Sequence, residues 1–141
     1  MKAASFEVPR PPRWEKAVIV GHAGREREHL ERSLDELALL ADTAGAQVVE
    51  RVTQRRGPIH VATFLGKGKV EELKAIAAER GAELCIFDDD LSPVQVRNLE
   101  KLLERKVIDR SELILDIFAR RARTRESRLQ VELAQLEYTM P

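Results

Sequence analysis

The 141-residue chain has one cysteine, one tryptophan, one tyrosine and four phenylalanines. A single thiol forms no disulfide framework and cannot supply a Cys-based zinc site. Aromatics at 4% are too few for stacking on splayed bases to carry recognition. No run of 18 or more apolar residues occurs, which excludes a membrane-spanning helix. The first residues have no apolar stretch of the signal-peptide kind. Lys plus Arg (24) balances Asp plus Glu (24), so no global basic field favours nucleic acid. These absences lead to the expectation of a soluble, cytoplasmic protein with no membrane partner. What is present is a 43% apolar fraction, enough for one core, and 34% charged residues, above the usual quarter.

Local charge is uneven. Ala119–Arg128 holds five arginines against one acid, Glu126. A second stretch carries Arg51, Arg55, Arg56, Lys67 and Lys69 with no acid among them. Such local patches on a neutral chain say more than the total.

Three segments are expected. Residues 1–14, with Pro9, Pro11 and Pro12, read as a stiff leader poor in backbone donors. Residues 15–109 alternate apolar strand runs with amphipathic stretches. Lys16–Gly21, Ala46–Gln54, Glu83–Asp90 and Lys106–Asp109 are the strand candidates, with His60–Phe64 as a short edge strand. Between them, Leu30, Leu34, Leu37 and Ala41 recur at helical spacing from a start near Arg27, although Ser33-x-x-Glu36 also has the form of a capping box. Val70, Leu73, Ile76 and Ala77 mark a second helix, closed by Gly81. Ser92-Pro93 caps a third, with Val96, Leu99 and Leu103 on one face. Continuously apolar strands predict an α/β fold: a mostly parallel sheet of about four strands, flanked by helices on both faces. Residues 110–141 are expected to form a long C-terminal helical segment. Its Leu129, Leu133, Leu136 and Met140 make a seam for a helical hairpin or for self-association.

Candidate chemistry is sparse. Gly66-Lys67-Gly68-Lys69 resembles a phosphate loop but fails the Walker A pattern G-x-x-x-x-G-K-S/T, because Val70 follows Lys69. A tight strand-to-helix turn accounts for it more simply. Asp88, Asp89 and Asp90 follow a strand's carboxyl end, where ligands of open α/β sheets bind. They could hold Mg²⁺ as a receiver domain does, yet Arg110 and Ser111, not a lysine, follow the last strand. Turn and capping duty explains them more economically. His22, His29 and His60 show no ligand spacing, and Cys85 between Leu84 and Ile86 reads as a core residue. No catalytic set is found. The arginine cluster stands apart. On a helix Arg121, Arg125 and Arg128 share one face, with Arg120 and Arg123 placed beside it. A solvated face ordinarily mixes signs for i,i+4 pairing, whereas arginine used throughout suits forked phosphate contacts. These five are the candidate RNA-contacting residues, with Arg51, Arg55, Arg56, Lys67 and Lys69 as secondary candidates.

Leu91–Tyr138, Phe64–Leu73, Ser33–Leu37 with Ala41–Ala46, and Phe87–Pro93 together closely resemble the N-terminal domain of the HflX family, ribosome-associated GTPases of the translation-factor class. The resemblance covers most of residues 27–140. It implies an α/β subdomain, a two-helix hairpin reaching toward the peptidyl-transferase centre, and a P-loop GTPase domain after them. It implies rRNA of the large ribosomal subunit as partner, ribosome splitting and rescue as the activity, and contact with the protein's own GTPase domain. By position, Gly66–Lys69 would be a turn, Leu91–Glu100 a sheet-flanking helix, and Arg120–Leu136 the first hairpin arm. GTP and Mg²⁺ would belong to the GTPase domain, so these residues are expected to hold no cofactor, to be no enzyme by themselves, and to stop short of the second arm. The alternative is a stand-alone nucleotide-binding or receiver-like α/β domain, resting on Asp88–Asp90 and the Gly-Lys turn.

Overall fold

The computed structural model describes residues 15–23 and 27–139; within the helices the side chains of 27, 28, 123, 124, 127, 128 and 131–139 are outside the description. Four strands and four helices alternate: β1 (Glu15–His22), α1 (Arg27–Thr43), β2 (Ala46–Gln54), α2 (Lys67–Arg80), β3 (Leu84–Phe87), α3 (Pro93–Leu103), β4 (Lys106–Asp109) and α4 (Arg110–Thr139). All three strand pairings are parallel, and the sheet order is β2-β1-β3-β4.

The alternation of strand side chains explains why these runs are apolar throughout. Val18, Val20, Cys85, Phe87 and Val107 point to one face, where Leu73 and Ala77 of α2 and Leu99 and Leu103 of α3 meet them. Ala17, Ile19, Leu84, Ile86 and Ile108 point to the other, against Leu30, Leu34, Leu37 and Ala41 of α1 and Leu113 of α4. Residues 17–20 and 84–87 are therefore buried consecutively. Such a sheet needs crossovers that place α1 on one side and α2 and α3 on the other, as right-handed connections do. Gly21 allows the close approach of α1: a Cβ there would lie 2.6 Å from Leu30 Cδ1 and 3.2 Å from Leu34 Cδ2.

Element ends follow local chemistry. Helix α3 starts in a capping box, with Ser92 Oγ accepting from the Gln95 N–H and Gln95 Oε1 accepting from the Ser92 N–H. Helix α2 stops at Gly81, whose φ of 68° is the left-handed conformation that glycine adopts without cost. Helix α1 starts at Arg27, so Ser33-x-x-Glu36 falls in its interior, not at a cap.

One expected strand is absent. His60–Phe64 forms a tight turn closed by an isolated antiparallel bridge between its end residues. Phe64 has φ of 63°, which is incompatible with extended pairing, and its ring is buried against Phe87, with centroids 6.0 Å apart. Anchoring that ring in the core prevails over strand formation at the edge. The α2–α3 face of the turn is held by Gln95 Nε2 donating to the His60 carbonyl and Asn98 Nδ2 donating to the Ala62 carbonyl, each at 2.9 Å.

Ile86→Asp places an unpaired charge in a fully buried strand and is expected to abolish cooperative folding, since the penalty of several kcal/mol, about the size of a small domain's stability, has no compensation. Loss of the far-UV circular-dichroism melting transition is the check.

Candidate nucleic-acid interface and the carboxyl edge of the sheet

The sheet order reverses between β1 and β3, so the crevice at their carboxyl ends is where an open α/β sheet would receive a ligand. The register that pairs Phe87 with Asp109 makes Asp88 and Arg110 the next residues along neighbouring strands. Arg110 reaches across this edge. Its Nε and Nη2 donate to Asp88 Oδ1 at 3.0 and 2.8 Å, Nη2 also donates to the Ser33 carbonyl at 2.7 Å, and Nη1 lies 3.4 Å from Glu36 Oε2. Ser33 Oγ donates to Asp88 Oδ2 at 2.6 Å, so both carboxylate oxygens are engaged. The Asp88 side chain is only 8% exposed, which makes this the driest ion pair in the described part of the molecule.

The remaining acids of the edge are also committed to structure. Asp109 accepts from the Leu91 N–H and, as a cap for α4, from the Glu112 N–H. Asp90 accepts from Ser111 Oγ at 2.6 Å. Asp89 differs: its Oδ2 is buried with no hydrogen-bond partner, and desolvation, reinforced by the neighbouring Asp88 charge, holds its carboxyl above the ordinary range. Among the described residues no three His, Cys, Asp or Glu side chains converge as a cation site requires. The aspartate run is thus built into turns and an ion-pair hub, which removes the main support for a receiver-like reading.

The Gly-Lys turn is likewise tied from within. The Gly66 N–H donates to Gln54 Oε1 at 3.1 Å, and Lys69 pairs with Glu72 at 2.7 Å. His22 Nε2 lies 3.0 Å from the Gly57 carbonyl, and its ring meets the edge of Phe64. Burial pushes the Cys85 thiol up to about 11, against the opposing pull of Arg105, so it stays protonated and unreactive.

The basic residues separate. Arg51 is paired with Asp35 at 2.8 Å on β2, while Arg55, Arg56 and Lys67 are exposed on and after the loop that follows it. Helix α4 packs on α1, β3 and β4, and β2 and β4 are opposite edges of the sheet. On α4, at about 100° per residue, Arg121, Arg125 and Arg128 do share a face. Position 123 sits roughly 160° from position 121 and shares a side with 120, three residues earlier. By this period position 120 lies about 80° from position 128, next to the triad, and position 123 lies a further 60° on. Arg121 and Arg125 are exposed, whereas Arg120 is half-buried; the side chains of Arg123 and Arg128 are outside the described residues.

An apolar stripe flanks the arginines. Leu115, Phe118 and Leu129 are 67%, 61% and 56% exposed, and by the same period they continue the seam read from Leu129, Leu133, Leu136 and Met140 back to the base of α4. Leu133 and Leu136 side chains, and Met140 entirely, lie outside the described residues. No helix among the described residues is long and apolar enough to cross a membrane.

This architecture is an open, doubly wound parallel α/β domain carrying a long terminal helix. Solved structures share it: SsGBP in its GDP complex superposes with a TM-score of 0.61 at 23% identity, over 88% of this chain and 35% of that one. A GTP-binding protein from Sulfolobus solfataricus, solved with GDP, gives 0.54 at 22% identity over 74% of this chain and 30% of that one. Residues 31–119 match the family described as GTP-binding GTPase N-terminal, and the chain belongs to it. GTPase HflX of Lacrimispora saccharolytica is 52% identical over 88% of this chain and 29% of its own length, and GTPase HflX of Escherichia coli is 45% identical with the same coverage. The chain spans less than a third of the length of these relatives and matches their N-terminal part.

In the sequence Arg110 stands out only as the residue that replaces the lysine of a receiver-type metal site. The available signal was positional: a basic residue just past β4 and an acid just past β3 become neighbours once the two strands pair in parallel.

Arg110→Met is expected to cost about 2 kcal/mol in urea denaturation, less than a fully dry pair because 23% of the Arg110 side chain meets solvent. Asp89→Asn tests the unpartnered carboxyl. A raised folded-state pKa means the native state binds the proton more tightly, so Asp89 lowers stability as pH rises above its ordinary 3.8. The stability difference between variant and parent should therefore move in the variant's favour as pH rises from 3.8 and level off once the native carboxyl has ionised.

Proposed function

We propose that this chain is an RNA-binding module that sets α4 against phosphates of structured rRNA on the large ribosomal subunit. The observation that carries the reading is a run of exposed arginines, Arg121 and Arg125, on one face of a 30-residue helix with Arg128 in register. Forked guanidinium groups on a rigid rod match phosphates at regular spacing and need no base-specific side chains. Membership in the GTPase N-terminal family supports it, because an HflX GTPase needs a part that engages its target. GTP and Mg²⁺ would be held by a GTPase domain lying outside these residues, which would be the module's partner in cis. Ribosome splitting or rescue would be the work of that whole protein in the cytoplasm. The apolar stripe of Leu115, Phe118 and Leu129 would take a second helix, or in its absence a second copy of the chain.

Binding to purified large subunits should weaken steeply with salt. With about four phosphates neutralised, log K should fall against log salt with a slope near −3 to −4. Replacing Arg121, Arg125 and Arg128 by glutamine should weaken binding, flatten the slope by about 2 to 3, and leave the melting temperature nearly unchanged. Equal binding by the triple variant across the salt series would reduce the cluster to a solvated face. Calorimetric titration with GTP separates the alternative: saturable micromolar binding by the 141 residues would favour a nucleotide-binding domain instead.

A further inference from the structure

Of the five arginines, Arg120 stands in a different environment. Its Nη1 donates to the Ala44 carbonyl at 2.6 Å, and its Nη2 lies 3.4 Å from Asp116 one turn earlier. Ala44 belongs to the buried turn between α1 and β2, so this contact fastens α4 to the far end of α1. It crosses a cleft of about 420 Å³ at the amino edge of the sheet, floored by Leu84, Ile108 and Leu113. Arg110 fastens the same helix to the middle of α1, through Ser33, and to the end of β3, through Asp88. The two fastenings are ten residues apart, roughly 15 Å along the axis.

We infer that Arg120 is a positioning residue: with Arg110 it fixes the direction in which α4 leaves the sheet, and thereby aims Arg121 and Arg125 without being a phosphate contact itself. The Arg110 hub and the packing of Leu113 and Ile117 hold the first two turns of the helix, and Arg120 adds the outermost fixed point, which lengthens the base that determines its direction. The described side chains from Arg121 to Gln130 are all exposed, so packing beyond position 120 does not correct the angle for them. With the helix turning about Arg110, a tilt of roughly 10° moves position 121, about 16 Å away, by about 3 Å and position 125, about 22 Å away, by about 4 Å. That shift exceeds the tolerance of a charge-assisted hydrogen bond, which is set by distances near 2.8 Å. A carbonyl at a helix's carboxyl end is a suitable acceptor for this purpose, since the peptide dipoles make it electron-rich.

The role rests on the RNA reading above, and its experiment reads the two separately. Spin labels at Asp42→Cys and Glu126→Cys in a Cys85→Ala background report the distance between α1 and α4 by pulsed electron resonance. The parent chain should give a narrow distribution, and Arg120→Gln a distribution at least twofold broader with unchanged helical circular dichroism. Arg120→Lys, which keeps the charge but loses the fork, serves as the second variant should the glutamine substitution reduce helicity; it too should broaden the distribution. In the salt series with large subunits, Arg120→Gln should weaken binding about three- to tenfold while leaving the slope unchanged. Arg121→Gln should make the slope shallower by about 0.7 to 0.9, the signature of one lost phosphate contact. An unchanged distance distribution in both Arg120 variants would overturn the positioning role. A slope reduced by Arg120→Gln as by Arg121→Gln would overturn it as well, making Arg120 a phosphate contact. Failure of the parent chain to bind large subunits would instead remove the RNA reading, and the distance measurement would still decide the positioning one.

Discussion

Parallel strands covered on both faces leave their carboxyl ends as the one place where the chain can present polar groups in concert. In this protein that edge is occupied by the Asp88–Arg110 pair, and the arrangement of the terminal helix depends on it. Asp88 ends the rung that follows Phe87, Arg110 ends the rung that follows Asp109, and parallel register brings the two together. Because Arg110 is also the first residue of α4, the ion pair joins the helix to the sheet at its root. Ser33 extends the connection to α1, so three elements meet at one guanidinium.

The same hub decides what the edge is not. Three of the roughly four acceptor sites of the Asp88 carboxylate are taken by Arg110 and Ser33, Asp90 accepts from Ser111, and Asp109 caps α4. At the strand-order reversal, an inviting place for a ligand in this architecture, Arg110 reaches across to Asp88 and Ser33. Asp89 shows the energetic cost of crowding three acids there: one buried oxygen remains without a partner, and its carboxyl is displaced upward. The acids of the edge therefore act on the architecture of the arm, and the chemistry that reaches outward lies on the arm itself.

Along α4 the division of labour follows the helical period. Its base is pinned on one side by Leu113 in the core and by Arg110 and Arg120 in polar contacts, while Arg121 and Arg125 lie exposed and Leu115, Phe118 and Leu129 form an apolar stripe next to them. The arginine face and the apolar stripe lie side by side along the helix. The base of that helix, to residue 119, lies within the match to the GTP-binding GTPase N-terminal family.

Much of this was legible in the residues. Consecutive apolar strands, helical spacing in Leu30 to Ala41, the Ser92-Pro93 cap and the KVID run determined a doubly covered parallel sheet, because each is a local pattern whose physical meaning needs no distant partner. The arginine cluster was visible as composition for the same reason. The rest depended on residues distant in the chain. Whether His60–Phe64 became a strand was decided by a core vacancy beside Phe87, filled by Phe64 at the expense of extended geometry. Whether Asp88 met a cation or an arginine was decided by the β3–β4 register. Arg120 and Arg121 are adjacent and chemically identical, and only the approach of the α1–β2 turn, 76 residues away, separates them: one is drawn to the Ala44 carbonyl, the other stands in solvent. Local pattern sets which surfaces each segment can bury; which charges face one another is set by how the segments are stacked, and that is fixed only when the core closes.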